Sequence, residues 1–297
     1  MSLRIQMLQV ARLAPRLLGD STDLVRDFFR RQLTAEGAGR DRAGRPDLYY
    51  TIFTLAGMQA LDIEVPAERV EAYLRSFGDG DGLDFVHLSA LARCWAVVGV
   101  KRMPAGLDHA LLARIEAFRK PDGGYEGDAK LAYGTAYGAF VALGAYEDLD
   151  RAPVHPLKLV QSLKRLETPD GAWSNIPGAS IGATNATAGA VTLIRHLGFS
   201  VHQRVGDWLL ARAHPQGGFI ATPDAPVPDL LSTATALHAL VAMDHRLPAD
   251  VHERCLDFID TLWSNEGGFH GHWSDDHLDC EYTYYALLAL GHLSLGA

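Results

Sequence analysis

One local pattern occurs four times along the chain. Asp122-Gly123-Gly124-Tyr125, Asp170-Gly171-Ala172-Trp173, Gln216-Gly217-Gly218-Phe219 and Glu266-Gly267-Gly268-Phe269 each join a small-residue turn to an aromatic. A short polar loop and a long segment of small and apolar residues follow each one. The copies recur roughly every 46 to 50 residues, a period that belongs to arrays of supersecondary units. A single unit of such an array cannot bury its own apolar face, so the repeat dictates stacking of neighbours.

Each unit reads as two helices. Tyr133 to Leu143, Thr184 to Leu197, Leu231 to Met243 and Tyr282 to Leu295 are dense in Ala, Leu, Thr and Gly and carry little charge on any face. A helix that is apolar all round is buried on all sides. His155 to Glu167, Val201 to Ala213 and Val251 to Asn265 instead alternate charged residues with Leu, Ile and Trp at helical spacing, so one face meets solvent. Two degenerate copies lie upstream, with Asp47 to Met58 and Asp84 to Val98 as inner helices, the second introduced by Gly78-Asp79-Gly80-Asp81-Gly82. About six helix pairs with a buried inner row predict an all-α fold, an (α/α)6 toroid, because an open stack would expose that row at its ends. An open right-handed superhelical solenoid of hairpins is the alternative architecture. The turn glycines suit the positive φ that ends a helix, and Tyr125, Trp173, Phe219 and Phe269 read as staples between hairpins.

No Gly/Ser-rich or Pro-rich linker divides the 297 residues, which predicts a single domain, with 1–40 as a helical lead-in and 41–297 as repeats. A net charge of −9 argues against nucleic acid or an anionic membrane surface as partner. Cys94, Cys255 and Cys280 are odd in number and widely spaced, which suits reduced thiols in the cytoplasm. Met1 to Leu18 is broken by Arg4, Arg12 and Arg16, so it reads as a surface amphipathic helix rather than a secretory signal. No segment has the charge-free length of a membrane span. Asp79-Gly80-Asp81-Gly82 mimics part of a calcium loop, but the twelfth position is Ala90, which rejects an EF-hand.

The repeats resemble those of protein prenyltransferase β subunits and, more distantly, of squalene and oxidosqualene cyclases. The likeness runs from about Asp47 to Leu295, and Pro169-Asp170-Gly171-Ala172-Trp173 is similar to the cyclases' repeated Asp-Gly-Ser-Trp segment. In the prenyltransferases, an Asp-x-Cys-Tyr-Ser segment and a His in the next unit hold a catalytic zinc. The corresponding segments here are Asp229-Leu230-Leu231-Ser232-Thr233 and Asp279-Cys280-Glu281-Tyr282-Thr283. Asp229 stands at the ligand Asp, Leu231 at the thiolate and Tyr282 at the imidazole, so the usual zinc site is not preserved. The basic residues expected for a diphosphate are missing too: Ile220 to Pro228 holds no Lys or Arg, and Ile181 stands near the expected His. The cyclases' Asp-x-Asp-Asp acid has no counterpart; Asp275-Asp276 and Asp279-Cys280-Glu281 come nearest. The resemblance also implies a helical partner subunit and a site at the starts of the inner helices.

Four of those starts carry an acid, Asp47, Asp84, Asp229 and Asp279, which is what N-capping requires. The densest polar cluster is His270 to Tyr282. Within it Glu281 and Tyr282 take, in the family pattern, the axis-facing positions of the ligand Cys and His. Asp279, Glu281 and Tyr282, supported by Asp229, are the candidates for acid/base work. Asp229, Asp279, Glu281, His272 and His277 are candidates for holding a hard divalent cation, and a solvated polar loop is the plain alternative. Tyr49, Tyr50, His87, Tyr133, Tyr137, Asn185 and Tyr284 are polar inner-helix groups suited to a cavity wall, or else core residues with satisfied hydroxyls. The leading expectation is an enzyme acting on an isoprenoid or similarly apolar small molecule. A toroid that binds or partners without chemistry, and a carbohydrate-processing α/α barrel with paired carboxylates, are the alternatives.

Overall fold

The structure is a computed structural model and describes residues 1–295. Six inner helices form a ring: α4 (Leu48–Ala60), α6 (Phe85–Val98), α8 (Ala136–Asp148), α10 (Thr184–His196), α12 (Leu230–Ala242) and α14 (Cys280–Leu293). Their outer partners are α3 (Thr22–Gln32), α5 (Ala67–Arg75), α7 (Leu107–Glu116), α9 (Pro156–Lys164), α11 (Arg204–Leu210) and α13 (Ala249–Thr261). Two short helices, α1 (Leu3–Ala11) and α2 (Pro15–Leu18), precede them. Each inner helix packs on the next, and α14 packs back on α4. That last contact makes the architecture a closed toroid and not an open solenoid.

Side-chain caps set where five inner helices begin. Asp47, Asp84, Thr135, Asp229 and Asp279 accept the backbone N–H of Tyr50, His87, Gly138, Ser232 and Tyr282. Each such cap stabilises its helix by about 1 kcal/mol. Helix α10 begins without one at Ala183; the Thr184 N–H donates instead to the Ala221 carbonyl at 2.8 Å. The expected start of α8 at Tyr133 moves to Ala136, because Thr135 is the cap and Gly134 is pressed against Gly124.

The repeated turns couple one unit to the next. Gly123, Gly217 and Gly267 have φ of +93°, +98° and +85°, and a Cβ on each would strike Lys158, Arg254 and Leu24 of the following outer helix. The aromatics are buried, and the backbone N–H of Trp173, Phe219 and Phe269 donates to Thr187, Thr233 and Thr283 of the inner helices. Gly39 donates to Thr51 in the same way, and Gly37 (φ +94°) abuts Arg69. Glu36-Gly37-Ala38-Gly39 is therefore a further copy of the turn, hidden because glycine replaces its aromatic. It follows that α3, placed in the lead-in by sequence, is the first outer helix.

The N-terminal helix is a plug rather than a surface amphipath. Leu3, Leu8 and Ala11 are buried where α1 lies across the C-terminal ends of the ring, against α14, α4 and α8. Gly291 makes room for it, since a Cβ there would meet the Val10 carbonyl. Arg4 pairs with Asp148 at 3.0 Å, and the Leu3 N–H donates to Glu147 at 3.0 Å. The ring thus has a closed floor at its C-terminal ends and a mouth at its capped N-terminal ends. Among the described residues no helix is long and apolar enough to cross a membrane.

Candidate active site

A cavity of about 320 Å³ runs down the ring axis, within the range of small-molecule sites. Its wall follows a simple register. Residues two, five, six and nine positions after the N-cap face it: Tyr49, Ile52, Phe53 and Ala56 on α4; Glu281, Tyr284, Tyr285 and Leu288 on α14; Val86, Ser89, Ala90 and Arg93 on α6. That spacing is one stripe of a helix. Most of the lining is apolar or aromatic, with Phe53 5.1 Å from Tyr49 and 5.7 Å from Tyr285, ring centre to ring centre.

Glu281 sits at the mouth end of this wall, and the Tyr49 hydroxyl donates to its Oε1 at 2.5 Å. Burial pushes the Glu281 carboxyl up to about 7. The Tyr49 bond and Arg42 pull against that rise, and Asp279 adds to it. Tyr49 itself is held protonated, raised by burial and by Tyr285 and Glu281, so it is a fixed donor. Burial, with Glu281 next, lifts Tyr137 across the mouth to about 12. Near neutral pH the site therefore holds a carboxyl that is part acid and part anion, braced on one oxygen.

The other proposed acid/base residues lie elsewhere. Asp279 is buried; it caps α14 and accepts from Arg42 Nε at 2.8 Å. Burial raises its carboxyl, and the Tyr282 N–H and Arg42 pull it back. Tyr282 turns away from the axis, packing against Gly271 with the Arg42 guanidinium 5.4 Å over its ring. Asp229 is closed off by Ser232, whose N–H and Oγ donate at 2.7 and 2.6 Å. Only Glu281 of these four lines the cavity.

The five candidate metal ligands do not converge. Asp229 and Asp279 are occupied as caps, Glu281 faces Tyr49, His277 is exposed and 3.6 Å from Asp275, and His272 accepts the Ser274 N–H. Among the described residues no group of three or more His, Cys, Asp and Glu is placed to hold a metal ion. These donors do not fit a divalent cation as they stand.

Of the proposed wall residues, Tyr49, Tyr137, Asn185 and Tyr284 do line the cavity. Tyr50 lies outside it, its carbonyl accepting from Cys280 Sγ at 3.2 Å. His87 bridges Asp84 and Asp47 at 2.8 and 3.2 Å. Burial pulls its ring down, but the two carboxylates outweigh that and leave it raised. Tyr133 belongs to the loop before α8. Sequence reasoning passed over Phe53, Phe140 and Tyr285, and also the polar floor: Arg4, Arg93 and His238. His238 Nδ1 lies 3.0 Å from His292 Nε2, and burial lowers the two rings to about 4 and about 3, so both are neutral. The register counted from each inner-helix N-cap is the signal that places Phe53, Phe140, Tyr285, Arg93 and His238 on the wall, although it does not give their partners, and Arg4 lies outside it on α1.

A family model described as the prenyltransferase alpha-alpha toroid domain matches residues 87–197 and again residues 187–295. No curated protein matches the sequence at a significant level. Among solved structures, the type II terpene cyclase MstE from Scytonema is 15% identical with a TM-score of 0.63, over 95% of this chain and 98% of that one. A variant of that cyclase was solved with its substrate, geranylgeranyl dihydroxybenzoate. An α-1,6-mannanase from a Salegentibacter species is 14% identical with a TM-score of 0.59, over 93% of this chain and 99% of that one. The Candida albicans protein geranylgeranyltransferase-I complexed with GGPP is 14% identical with a TM-score of 0.50, over 96% and 81%. At these identities the likeness is one of fold alone.

Proposed function

The chain belongs to the prenyltransferase alpha-alpha toroid domain family, and from that premise we propose that it is an enzyme using Glu281 as a general acid on an isoprenoid or similarly apolar molecule in the axial cavity. The observation that carries the reading is the pairing of Glu281 with Tyr49 at the mouth of an aromatic-lined cavity. Because Tyr49 donates to Oε1, the carboxyl proton resides on Oε2 and is available to the cavity. Transfer of that proton to an alkene carbon makes a carbocation and a carboxylate. The cation forms among the aromatic rings of Phe53, Tyr137, Phe140 and Tyr285, which line the cavity, and aromatic π systems attract positive charge. The carboxylate keeps the Tyr49 bond, whose strength rises with the charge it receives. Loss of a proton from a neighbouring carbon ends the reaction as an isomerisation or cyclisation, with no net change in composition. The complex of MstE with a geranylgeranyl substrate supports the choice of an apolar chain.

Glycoside hydrolysis, the activity of the similar mannanase, needs two carboxyl groups flanking one bond. Among the described residues Glu281 is the one carboxyl lining the cavity, which argues against it. The test is turnover of polyprenyl alcohols, acids and phosphates in D2O, read by mass spectrometry. One deuterium per product molecule is expected, with none in Glu281→Gln. Unchanged deuterium uptake in that variant removes Glu281 from the mechanism. Tight binding without uptake by any substrate leaves a binding protein.

A further inference from the structure

The cavity floor carries an imbalance of charge. Arg4 from α1 and Arg93 from α6 both line it, and both direct Nε at the same carboxylate, Asp148, at 3.0 and 3.3 Å. Asp148 is fully shielded, with a side-chain exposure of 0%. The neighbouring Glu147 does not offset the excess: it accepts from the Leu3 N–H and faces His196 Nε2, outside the cavity. His238 and His292, at the same depth, are neutral. Two guanidiniums thus share one carboxylate.

The donors left over point the same way. One Nη of Arg4 reaches Gln59 at 3.3 Å, and among the described residues Arg93 has no acceptor besides Asp148. Ser89 is one helical turn before Arg93 on the same face, 1% exposed, and its Oγ has no hydrogen-bond partner. The Tyr284 hydroxyl feels both guanidiniums and Asp148. An unmatched charge and an unmade hydrogen bond in an apolar cavity are costly. They are relieved together by an acceptor-rich anion.

We infer that the floor of the cavity is an anion-recognition subsite, formed by Arg93, Arg4 and Ser89, for the carboxylate or phosphate head of an apolar-chain ligand. This rests on the reading of the axial cavity as the binding site and narrows its substrate class to an acid. The head sits at the floor, and the chain rises about 10 Å, seven residues of helix, to the level of Glu281. Because Arg4 comes from α1, the subsite is complete only with that helix docked.

Calorimetric titration with farnesoic acid, farnesyl phosphate and farnesol tests the subsite, and the two anions separate the carboxylate source from the phosphate source. At least one anion is expected to bind about tenfold or more tighter than the alcohol, the value of a charge-assisted pair. Arg93→Gln should erase most of that preference and leave farnesol affinity unchanged. Equal affinity of wild-type protein for all three, or a preference that survives in folded Arg93→Gln, overturns the inference. Should Arg93→Gln fail to fold by circular dichroism, Ser89→Ala carries the test: it must weaken the anions alone, and equal weakening of all three overturns the inference. A preference for anions retained in Glu281→Gln, with no deuterium uptake in wild type, would sink the proton-transfer reading and keep this one. Uptake with no preference would do the reverse.

Discussion

The mouth and the floor of the ring use polar groups in opposite proportion. At the mouth, acids are abundant, and Asp47, Asp84, Asp229 and Asp279 are each answered by a helix N-terminus. Glu281, two residues beyond the last of these caps, has no cation paired to it among the described residues and faces the cavity. At the floor, two guanidiniums share the one carboxylate of Asp148, and among the described residues Arg93 has no other acceptor, whereas Arg4 also reaches Gln59. A group with a complete set of partners is structural. The group left over at each end, one carboxyl and one guanidinium, is where a ligand gains most.

The largest effect that would break this contrast is at Glu281. Glu281→Gln keeps the Tyr49 contact and should lower turnover by about 10²- to 10⁴-fold, the contribution of a general acid, with no loss of melting temperature. Asp279→Asn, two residues away, should do the reverse: it breaks the partner of Arg42 and destabilises the fold while turnover at low pH is kept, and the alkaline limb moves to lower pH because Asp279 no longer helps to raise Glu281. Equal kinetic loss in both would erase the distinction between cap and acid.

Next in size is Asp148→Asn, which leaves two guanidiniums facing each other without a counter-charge. A loss of about 3 to 5 kcal/mol in denaturant unfolding is expected for a broken buried pair. A loss below about 1 kcal/mol would mean that the floor charges are already solvated.

A smaller effect concerns pH. The Glu281 carboxyl rises from 4.5 to about 7 on folding, so the folded state binds the proton more tightly. Its benefit is present below pH 4.5 and is lost as pH rises through 7. Glu281→Gln should therefore gain about 1 to 3 kcal/mol relative to wild type at pH 8 and little at pH 4. Turnover, which needs the acid form, should fall above about pH 7. In Tyr49→Phe the lowering bond is gone, so that limb should move to higher pH. A limb that stays in place disconnects Tyr49 from the acid.

The smallest effect sharpens the account of the caps. Among the described residues Ala183 occupies the one inner-helix start without a capping side chain, and its backbone is already extended (φ −116°, ψ 143°). Ala183→Ser should gain a few tenths to about 1 kcal/mol in thermal unfolding. Destabilisation there would mean that packing at the loop outweighs the cap.

The fold was legible because Gly-Gly-aromatic turns and charge-poor helices are both local signals. Where the aromatic became Gly39, that signal failed, although Gly37 and Thr51 hold the same positions as in the other units. The acids of the helix starts were legible as caps for the same local reason. Glu281 was reached through the family pattern, but that pattern also nominated Tyr282, and a 100° step of helix sends the two in different directions. The pairing of Arg4 and Arg93 was not legible because their shared partner, Asp148, lies far from both in sequence.

Ring closure has a consequence for how such a chain is made. Gly267 rests on the backbone of α3 and α14 rests on α4, so the first hairpin finds its final neighbour only when the last is synthesised. At translation rates of about 5 to 20 residues per second, the early apolar helices wait on the order of ten seconds or more with a bare flank. Nascent chains stalled before α14 should be clients of holdase chaperones, and release of the finished chain should free them in one step.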